Sequence, residues 1–223
     1  MLKVLTKSST FHHFLEGLAT RVSYYRGPKQ SERIVEYPFV FENLRDSPRG
    51  AKILDVGCTP SILPVELAAL GYRVWGIDLV EYPGSHPNFT FVKGRIEKTS
   101  FADEFFDVVT CVSTLEHVGL YGFLYTFTDI EGDQKAMKEI ARVTRKGGKI
   151  LVTVPYGTSY TTANYRIYDA ERLRGLIGAL KIDRLTIYAY KQGKWSTCTE
   201  EETAGASSSE TVAVACLALS KRT

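Results

Sequence analysis

The stretch Ile53-Leu54-Asp55-Val56-Gly57-Cys58-Thr59-Pro60-Ser61 decides the fold. Its apolar beginning predicts a β-strand, and Gly57 predicts a tight turn from that strand into a helix. A second apolar run, Trp75-Gly76-Ile77-Asp78, ends in an acid about 20 residues after Gly57. This spacing is typical of a strand–helix–strand nucleoside site, where the turn brings bare backbone to the ligand and the second acid accepts the ribose hydroxyls.

The pattern of glycines separates two classes of nucleoside ligand. Dinucleotide sites use G-x-G-x-x-G, which lets a pyrophosphate lie on the helix N-terminus. In this chain Thr59 and Ile62 stand where the second and third glycines of that pattern would be. Asp55 would also repel a pyrophosphate, whereas it suits a ligand with a cationic centre and an amino group. The sequence therefore disfavours a nicotinamide dinucleotide.

Leu54-Asp55-Val56-Gly57-Cys58 resembles the first motif of the class I S-adenosylmethionine-dependent methyltransferases, and of their small-methyltransferase (type 11-like) branch in particular. Further matches follow in the family's order, over roughly residues 50 to 157. They are Asp78 at the position of the ribose-binding acid, residues 105–109 as the fourth strand, residues 113–118 after it, and residues 139–143 with 146–148 as the helix and turn before the fifth strand.

Alternating strands and helices predict an α/β fold with a parallel, doubly wound sheet. The predicted strands are residues 51–56, 73–78, 89–93, 106–112, 148–154, 181–190 and 211–219. The resemblance implies a Rossmann-like seven-stranded sheet of order 3-2-1-4-5-7-6, with strand 7 antiparallel and helices on both faces. The whole chain, 1–223, is expected to be a single methyltransferase domain, with an N-terminal helical lid at 1–48 and the core at 49–223.

The helices are placed by apolar periodicity and by their caps. One or two are expected within residues 8–44, with Ser31 as an N-cap and a kink or end at Pro38. Others are expected at 62–70, at 133–145, and at 169–180 with Asp169 as N-cap. Residues 81–87 and 199–210 read as loops, the second polar.

Composition bounds the class of protein. A chain of 223 residues with 44% hydrophobic content can fill one α/β core. The net charge of +3 is spread along the chain, which makes nucleic acid an unlikely partner. The four cysteines form no C-x-x-C pair, and neither a membrane span nor a secretory signal is evident, so a cytoplasmic protein without a membrane partner is expected. A homodimer is possible.

The resemblance implies S-adenosyl-L-methionine as the cofactor. The residues that it places in the cofactor site are Asp55, Gly57, Cys58, Thr59, Asp78, Leu79, Arg95, Ile96 and Ser113. Asp78 is expected to bind the ribose hydroxyls, and Ile96 and the Arg95 backbone are expected to meet the adenine. Two departures from the family pattern affect how the cofactor would lie in its site. Thr59 and Ser61 replace glycines of the first motif, and Arg95 replaces a frequent acid.

The cofactor supplies a reactive methyl group, so the protein must mainly align the acceptor atom. A general base is needed only if the acceptor loses a proton. His117 is the best candidate because its ordinary pKa lies near neutral pH, and Glu116 is a second one. Both also occur in this branch of the family irrespective of the acceptor, so a structural or cofactor-pocket role is the alternative.

The acceptor side should be built from connections rich in aromatic residues. These residues are Tyr121, Phe123, Tyr125 and Phe127 after strand four, Tyr156, Tyr160, Tyr165 and Tyr168 after strand five, and Tyr24, Tyr25 and Tyr37 upstream. Tyr121, Tyr156 and Arg166 are predicted to bind the acceptor, although Arg166 could instead pair with Asp169. Asp129, Glu131 and Asp133 read as helix caps, and no metal is expected.

These patterns predict methyl transfer to a small or medium acceptor, at the oxygen of a sugar-like or aromatic metabolite. Two alternatives remain open. A methyltransferase acting on RNA or protein would be expected to have a basic face, and Ser113-Thr114-Leu115-Glu116 stands where many nucleic-acid amino methyltransferases carry Asn-Pro-Pro-Tyr. The second alternative is a non-catalytic, cofactor-binding scaffold with the same fold.

Overall fold

The structure, a computed structural model, describes residues 31–122, 128–204 and 212–221. The helices in these ranges are α1 (Arg33–Leu44), α2 (Leu63–Ala69), α3 (Gly132–Val143), α4 (Ala170–Ile177) and α5 (Glu200–Ala204). The strands are β1 (Lys52–Val56), β2 (Arg73–Asp78), β3 (Phe89–Lys93), β4 (Phe106–Val112), β5 (Thr144–Tyr156), β6 (Tyr160–Thr161), β7 (Arg166–Ile167), β8 (Lys181–Lys191), β9 (Lys194–Cys198) and β10 (Val212–Ser220).

The main sheet has the order β3-β2-β1-β4-β5-β10-β8-β9. Strands β1 to β5 pair in parallel, and β10 is antiparallel to both β5 and β8. This confirms the predicted order, because β8 and β10 are the sixth and seventh predicted strands. β9 is an additional edge strand, joined to β8 by Gln192-Gly193. Both of these residues have positive φ, as a two-residue hairpin turn requires.

Helices cover both faces of the sheet. On one face, apolar residues of α3 and α4, such as Met137 and Leu173, pack in one buried cluster with the strands. On the other face, α1 and α2 contribute Phe39 and Leu67 to a second cluster. The chain from Glu32 onward forms one compact unit. α1, which falls within the predicted lid at 1–48, packs in this unit, and residues 1–30 of that lid lie outside the described ranges.

Three local predictions need correction. α1 does not end at Pro38 but continues to Leu44, because Phe39, Val40 and Leu44 are buried in the second cluster. α3 ends at Val143, and β5 begins at Thr144, four residues earlier than predicted. Part of the predicted 199–210 loop is the short helix α5.

Other local predictions are confirmed. The Asp169 side chain caps α4 by accepting a hydrogen bond from the Arg172 N–H at 2.8 Å. Residues 81–87 contain no helix or strand. None of the described helices is long and apolar enough to cross a membrane.

Candidate active site

The strand order reverses between β1 and β4, and ligands of doubly wound sheets bind beyond the strand ends at such a point. Asp55, near the end of β1, pairs in register with Thr110 of β4. Asp78 ends β2, and Ser113 follows β4. The fold thus brings most of the predicted cofactor residues to one edge of the sheet, which we call the carboxyl edge.

Asp78 is held by two backbone donors. The Thr59 N–H donates to Asp78 Oδ2 and the Val80 N–H to Asp78 Oδ1, each at 2.9 Å. A carboxylate oxygen has two lone pairs, so each oxygen can accept one more hydrogen bond. The Asp78 side chain is only half-buried. This geometry fixes the carboxylate and leaves capacity to bind a vicinal diol.

The turn after β1 is shaped by close contacts within the chain. Gly57 has a φ of 72°, and a Cβ there would lie 2.2 Å from Thr114 Oγ1. Glycine is therefore required at this position by Thr114 and by the left-handed backbone. Cys58 is fully buried, and its sulfur occupies the space that a side chain at Gly76 would need. The Cys58 thiol is therefore not available to a ligand.

The residues that replace the motif glycines bind to their own chain. The Thr59 hydroxyl donates to the Val80 carbonyl at 3.0 Å, so its hydrogen is used within the chain. Ser61 contacts the Tyr37 hydroxyl through its Oγ at 2.7 Å, and its carbonyl accepts from the Tyr82 hydroxyl at 2.8 Å. Tyr82 was not among the predicted site residues.

Asp55 is buried, 2% exposed, and accepts a 2.7 Å hydrogen bond from the Thr110 hydroxyl. Burial raises the pKa of its carboxyl to about 7, because the charged form loses its hydration, and the Thr110 bond offsets only part of this cost. A positively charged ligand near Asp55 would favour the ionised form.

Glu36 is a site residue that sequence reasoning missed. It is fully buried on α1, and its Oε1 accepts from the hydroxyls of Ser113 and Thr153, each at 2.6 Å. Its Oε2 pairs with Arg33. Ser113, expected to contact the cofactor, thus has its hydroxyl occupied by Glu36. The sequence signal that could have identified Glu36 is its helical spacing, which puts this acidic residue on the same helix face as the apolar Phe39 and Val40.

Glu116 and His117 lie in a 3₁₀ turn after β4. His117 Nδ1 is 2.6 Å from the Asn164 carbonyl, and since a carbonyl oxygen only accepts, Nδ1 carries the hydrogen. His117 Nε2 is 3.8 Å from Glu116 Oε1. Glu116 is buried, and its Oε2 has no hydrogen-bond partner among the residues that the structure describes. Burial raises the pKa of its carboxyl to about 8, with Glu36 adding to the rise.

Arg166 is fully buried and holds the chain together, which corrects the expectation that it binds an anionic group of the acceptor. Its guanidinium donates to the carbonyls of Val118 at 2.6 Å and Ile130 at 3.1 Å. Its Nε lies 3.4 Å from Asp133 Oδ2, in an ion pair without a well-directed hydrogen bond. Asp133, and not the predicted Asp169, is its acidic partner.

The predicted acceptor-side tyrosines have different environments. Tyr121 is 64% exposed after the 3₁₀ turn, whereas Tyr156 is buried at the end of β5. The hydroxyls of Tyr160 and Tyr165 are hydrogen-bonded at 3.0 Å within the β6–β7 hairpin, which also presents Asn164 to His117. Tyr168 is fully buried, and its hydroxyl donates to Asp133 Oδ2 at 2.8 Å. Tyr24, Tyr25, Phe123, Tyr125 and Phe127 lie outside the described residues.

The predicted adenine side lies after β2 and β3. Leu79 is half-buried, and Ile96 is 5% exposed and part of the core. The Arg95 guanidinium donates to Glu97 Oε1 at 2.7 Å. Arg95 therefore contacts an acid two residues later in the chain, while its backbone follows the turn after Gly94.

Comparison with known proteins agrees with this geometry. A family model described as a methyltransferase domain matches residues 54–152. The ubiquinone biosynthesis O-methyltransferase of Stutzerimonas stutzeri (strain A1501) is 37% identical over 79 residues, covering 31% of this chain and 34% of that protein. The protein of the same name from Idiomarina loihiensis is 35% identical over 121 residues, covering 49% of this chain and 44% of that protein. The chain thus spans less than half the length of these curated relatives.

Solved structures share the fold. The 1,6-didemethyltoxoflavin-N1-methyltransferase of Burkholderia thailandensis, with bound 1,6-didemethyltoxoflavin and S-adenosylhomocysteine, has a TM-score of 0.63 and 16% identity, covering 99% of this chain and 94% of that one. An S-adenosylmethionine-dependent methyltransferase of Methanosarcina mazei has a TM-score of 0.59 and 16% identity, covering 82% of this chain and 98% of that one.

The sheet order, the acids at the ends of β1 and β2 and the domain match define a Rossmann-like methyltransferase. Residues 54–152 match the methyltransferase domain, and this match with the fold supports the class I S-adenosylmethionine-dependent methyltransferase family. The residues present fit the cofactor of that family, since S-adenosylmethionine carries a sulfonium, an ammonium and a ribose diol. Asp78 has lone pairs for the diol, and the hydrogen bond that the described residues give the buried Asp55 comes from the neutral Thr110 hydroxyl.

Proposed function

We propose that this protein transfers the methyl group of S-adenosylmethionine to a phenolic oxygen of a small aromatic acceptor. The observation that carries this proposal is the pair His117–Glu116 at the carboxyl edge. There Nδ1 of His117 is occupied by the Asn164 carbonyl, so its basic nitrogen is Nε2. A hydroxyl acceptor must lose its proton as it attacks, and such a histidine can take it.

On the cofactor side, the chain supplies binding and orientation. Asp78 binds the ribose hydroxyls through the lone pairs that Thr59 and Val80 leave free. Asp55 and the backbone of the Gly57 turn face the amino-acid portion, and the turns after β2 and β3, with Leu79 and Ile96, face the adenine. The bound cofactor supplies an electrophilic methyl group, so the protein needs no further activation of the donor.

On the acceptor side, His117 receives the hydroxyl proton at Nε2. The resulting imidazolium keeps its Nδ1–H on the Asn164 carbonyl and places the new N–H toward Glu116, whose Oε1 lies 3.8 Å away. The Asn164 contact fixes the ring orientation, as an orienting group does in other histidine bases. The β6–β7 hairpin, which carries Asn164, borders the acceptor site, and Tyr121 is placed to contact the acceptor ring.

The aromatic class of acceptor is supported by the matched relatives, which are named ubiquinone biosynthesis O-methyltransferases. The exposed ring of Tyr121 and the paired rings of Tyr160 and Tyr165 add flat surfaces near the 3₁₀ turn that suit a planar acceptor. The four cysteines are free thiols, which agrees with a reducing compartment, and the proposal places the reaction in the cytoplasm.

Replacing the proposed base should affect proton transfer more than cofactor binding. We expect His117→Gln to lower the kcat for a phenolic acceptor by about a hundredfold or more, while the Kd for the cofactor changes by less than about threefold. His86→Gln is the matched control, because His86 lies in the loop after β2, where its Nδ1 accepts from the Asn88 N–H. An unchanged kcat in His117→Gln would remove His117 from the reaction.

The acceptor class can be tested by radiolabelled methyl transfer. Catechols and other phenols, sugars, carboxylates, bulk RNA and a protein lysate would each be offered with labelled cofactor. The proposal predicts that the labelled methyl group is transferred to the phenols. Label only in sugars, carboxylates, RNA or protein would overturn the acceptor assignment. Cofactor binding by calorimetry without transfer to any acceptor would favour a scaffold.

A further inference from the structure

The His117 ring contacts a turn that lies far from it in the sequence. Nδ1 of His117 is 2.6 Å from the carbonyl oxygen of Asn164, a residue 47 positions later. Asn164 stands in the turn of the β6–β7 hairpin, between the paired residues Thr161 and Arg166. The orientation of the imidazole therefore depends on where this turn places one backbone carbonyl.

The contacted carbonyl belongs to the peptide unit that joins Asn164 to Tyr165. The C=O and N–H groups of a trans peptide unit lie in one plane, point in opposite directions and move together. At the other end of this unit, the Tyr165 N–H donates to Thr162 Oγ1 at 3.0 Å. One rigid peptide unit thus connects the Thr162 hydroxyl to the His117 ring.

The Thr162 hydroxyl shapes the turn around Asn164. A hydroxyl has one hydrogen and two lone pairs. Thr162 Oγ1 accepts from the Asn164 N–H at 3.1 Å and from the Tyr165 N–H at 3.0 Å, and it donates to the Tyr165 carbonyl at 3.1 Å. The hydroxyl uses its full hydrogen-bonding capacity in this way. It holds the peptide units on both sides of Asn164.

The turn also packs closely against the segment that follows the 3₁₀ turn. The Gly122 N–H donates to the Ala163 carbonyl at 2.9 Å. A Cβ at Gly122 would lie 2.8 Å from that carbonyl oxygen and still closer to Asn164 Oδ1. This close contact limits how far the turn can shift as a whole, so the tilt of the Asn164–Tyr165 peptide unit is left to Thr162.

The hairpin holds the backbone of His117 as well. Arg166, directly after the turn, donates to the Val118 carbonyl at 2.6 Å and reaches the Glu116 carbonyl at 3.4 Å. These two carbonyls flank His117 in the chain. The same hairpin therefore fixes the backbone of His117 through Arg166 and the ring of His117 through Asn164.

We infer that Thr162 is a positioning residue for His117 and acts through the Asn164–Tyr165 peptide unit. The inference rests on the proposed function, since it takes His117 as the base. Hydrogen bonds in a chain polarise one another, so the bond from Tyr165 to Thr162 makes the Asn164 carbonyl a stronger acceptor. Thr162 thereby keeps the hydrogen of neutral His117 on Nδ1 and leaves Nε2 to receive the acceptor proton.

Thr162→Val removes the hydroxyl and keeps a side chain of nearly the same shape. We expect the kcat for a weakly acidic phenol to fall about tenfold, because the ring is less often oriented for proton transfer. A nitro-substituted catechol that is ionised at the assay pH has already lost its proton. Its kcat should fall by less than about twofold in the same variant. A general structural defect would instead lower both rates equally.

Two further variants separate the hydroxyl from the side chain around it. Thr162→Ser keeps the hydroxyl and should hold the kcat for the weakly acidic phenol within about twofold of the unaltered protein. Thr161→Val is the matched control. The exposed Thr161 hydroxyl accepts from the Arg172 guanidinium, which lies outside the turn, and its loss should change neither rate.

Nitrogen-15 NMR of the histidine-labelled chain tests the same point without an acceptor. At about pH 9, where histidine is ordinarily neutral, the spectrum shows which ring nitrogen carries the hydrogen. We expect the Nδ1–H form of His117 in the unaltered protein and a mixture of the Nδ1–H and Nε2–H forms in Thr162→Val. An Nε2–H form in the unaltered protein would overturn the inference without any variant.

The kinetic results distinguish this inference from the proposed function. Equal losses for the two acceptors in Thr162→Val, or an equal loss in Thr162→Ser, would overturn the role of Thr162. If His117→Gln still slows the weakly acidic phenol in that case, the proposed function stands. An unchanged kcat in His117→Gln with this phenol would overturn the proposed function and, with it, the inference.

Discussion

Arg166→Met should lower the free energy of unfolding by about 3–5 kcal/mol. Arg166 is completely buried, and its guanidinium reaches carbonyls on both sides of the segment that follows β4. Methionine fills a similar volume but donates no hydrogen bonds. The carbonyls of Val118 and Ile130 would lose their donor, and the buried Asp133 would lose its cationic partner. Urea unfolding followed by circular dichroism gives the difference.

Arg172→Met is the matched control for this effect. Arg172 lies six residues later, where its guanidinium bonds the exposed Thr161 hydroxyl and lies over the Tyr168 ring. Contacts of this kind near the surface contribute less than about 1 kcal/mol. A loss of under 1 kcal/mol in Arg166→Met, equal to the control, would show that Arg166 does not hold this segment.

The stability of the ligand-free protein should fall as the pH rises from about 5 to 8. Burial raises the pKa of Asp55 from 3.8 to about 7 and that of Glu116 from 4.5 to about 8. Between the unfolded and folded pKa values the native state binds more protons than the unfolded state, so raising the pH favours unfolding. One pKa unit corresponds to about 1.4 kcal/mol, which makes the cost of ionising Asp55 on the order of 4 kcal/mol.

Asp55→Asn isolates this contribution, because an amide cannot ionise and its oxygen can still accept from Thr110. Relative to the unaltered protein, the variant should gain about 2 kcal/mol or more in unfolding free energy between pH 5 and pH 8. Glu81→Gln should show no such gain. Chemical denaturation at several pH values measures the unfolding free energy of each protein. A pH-independent difference between Asp55→Asn and the unaltered protein would mean that Asp55 is already ionised at pH 5.

Much of the fold followed from local patterns. The apolar runs ending in Asp55 and Asp78 located β1 and β2, and Asp169 marked the start of α4. Local sequence preferences for secondary structure failed where tertiary packing favoured a different structure. Pro38 was expected to end or kink α1, but the buried side chains after it keep the helix intact. β9 was missed because Lys194–Cys198 is short and polar, although Gln192-Gly193 carried the hairpin signal.

The sequence predicted which strand ends carry the candidate site residues, but it did not predict the contacts of their side chains. Sequence spacing places a residue at the end of a strand, but it does not say which groups its side chain meets. Ser113 reached the predicted edge, and there its hydroxyl binds Glu36, a residue 77 positions away in the chain. Arg166 stands in a loop-like sequence, so it was predicted to bind the acceptor or to pair with Asp169. Its burial depends on carbonyls of a segment that no local pattern connects to it.

Cofactor binding by the Asp78→Ala variant tests the central claim most directly. If the Asp78 carboxylate binds the ribose hydroxyls, calorimetric titration with S-adenosylmethionine should show a loss of about 1.5–3 kcal/mol in affinity relative to the unaltered protein. Glu81→Gln, with a carboxyl removed three residues later, should bind normally. An Asp78→Ala protein that is folded and binds S-adenosylmethionine as tightly as the unaltered chain would contradict the account.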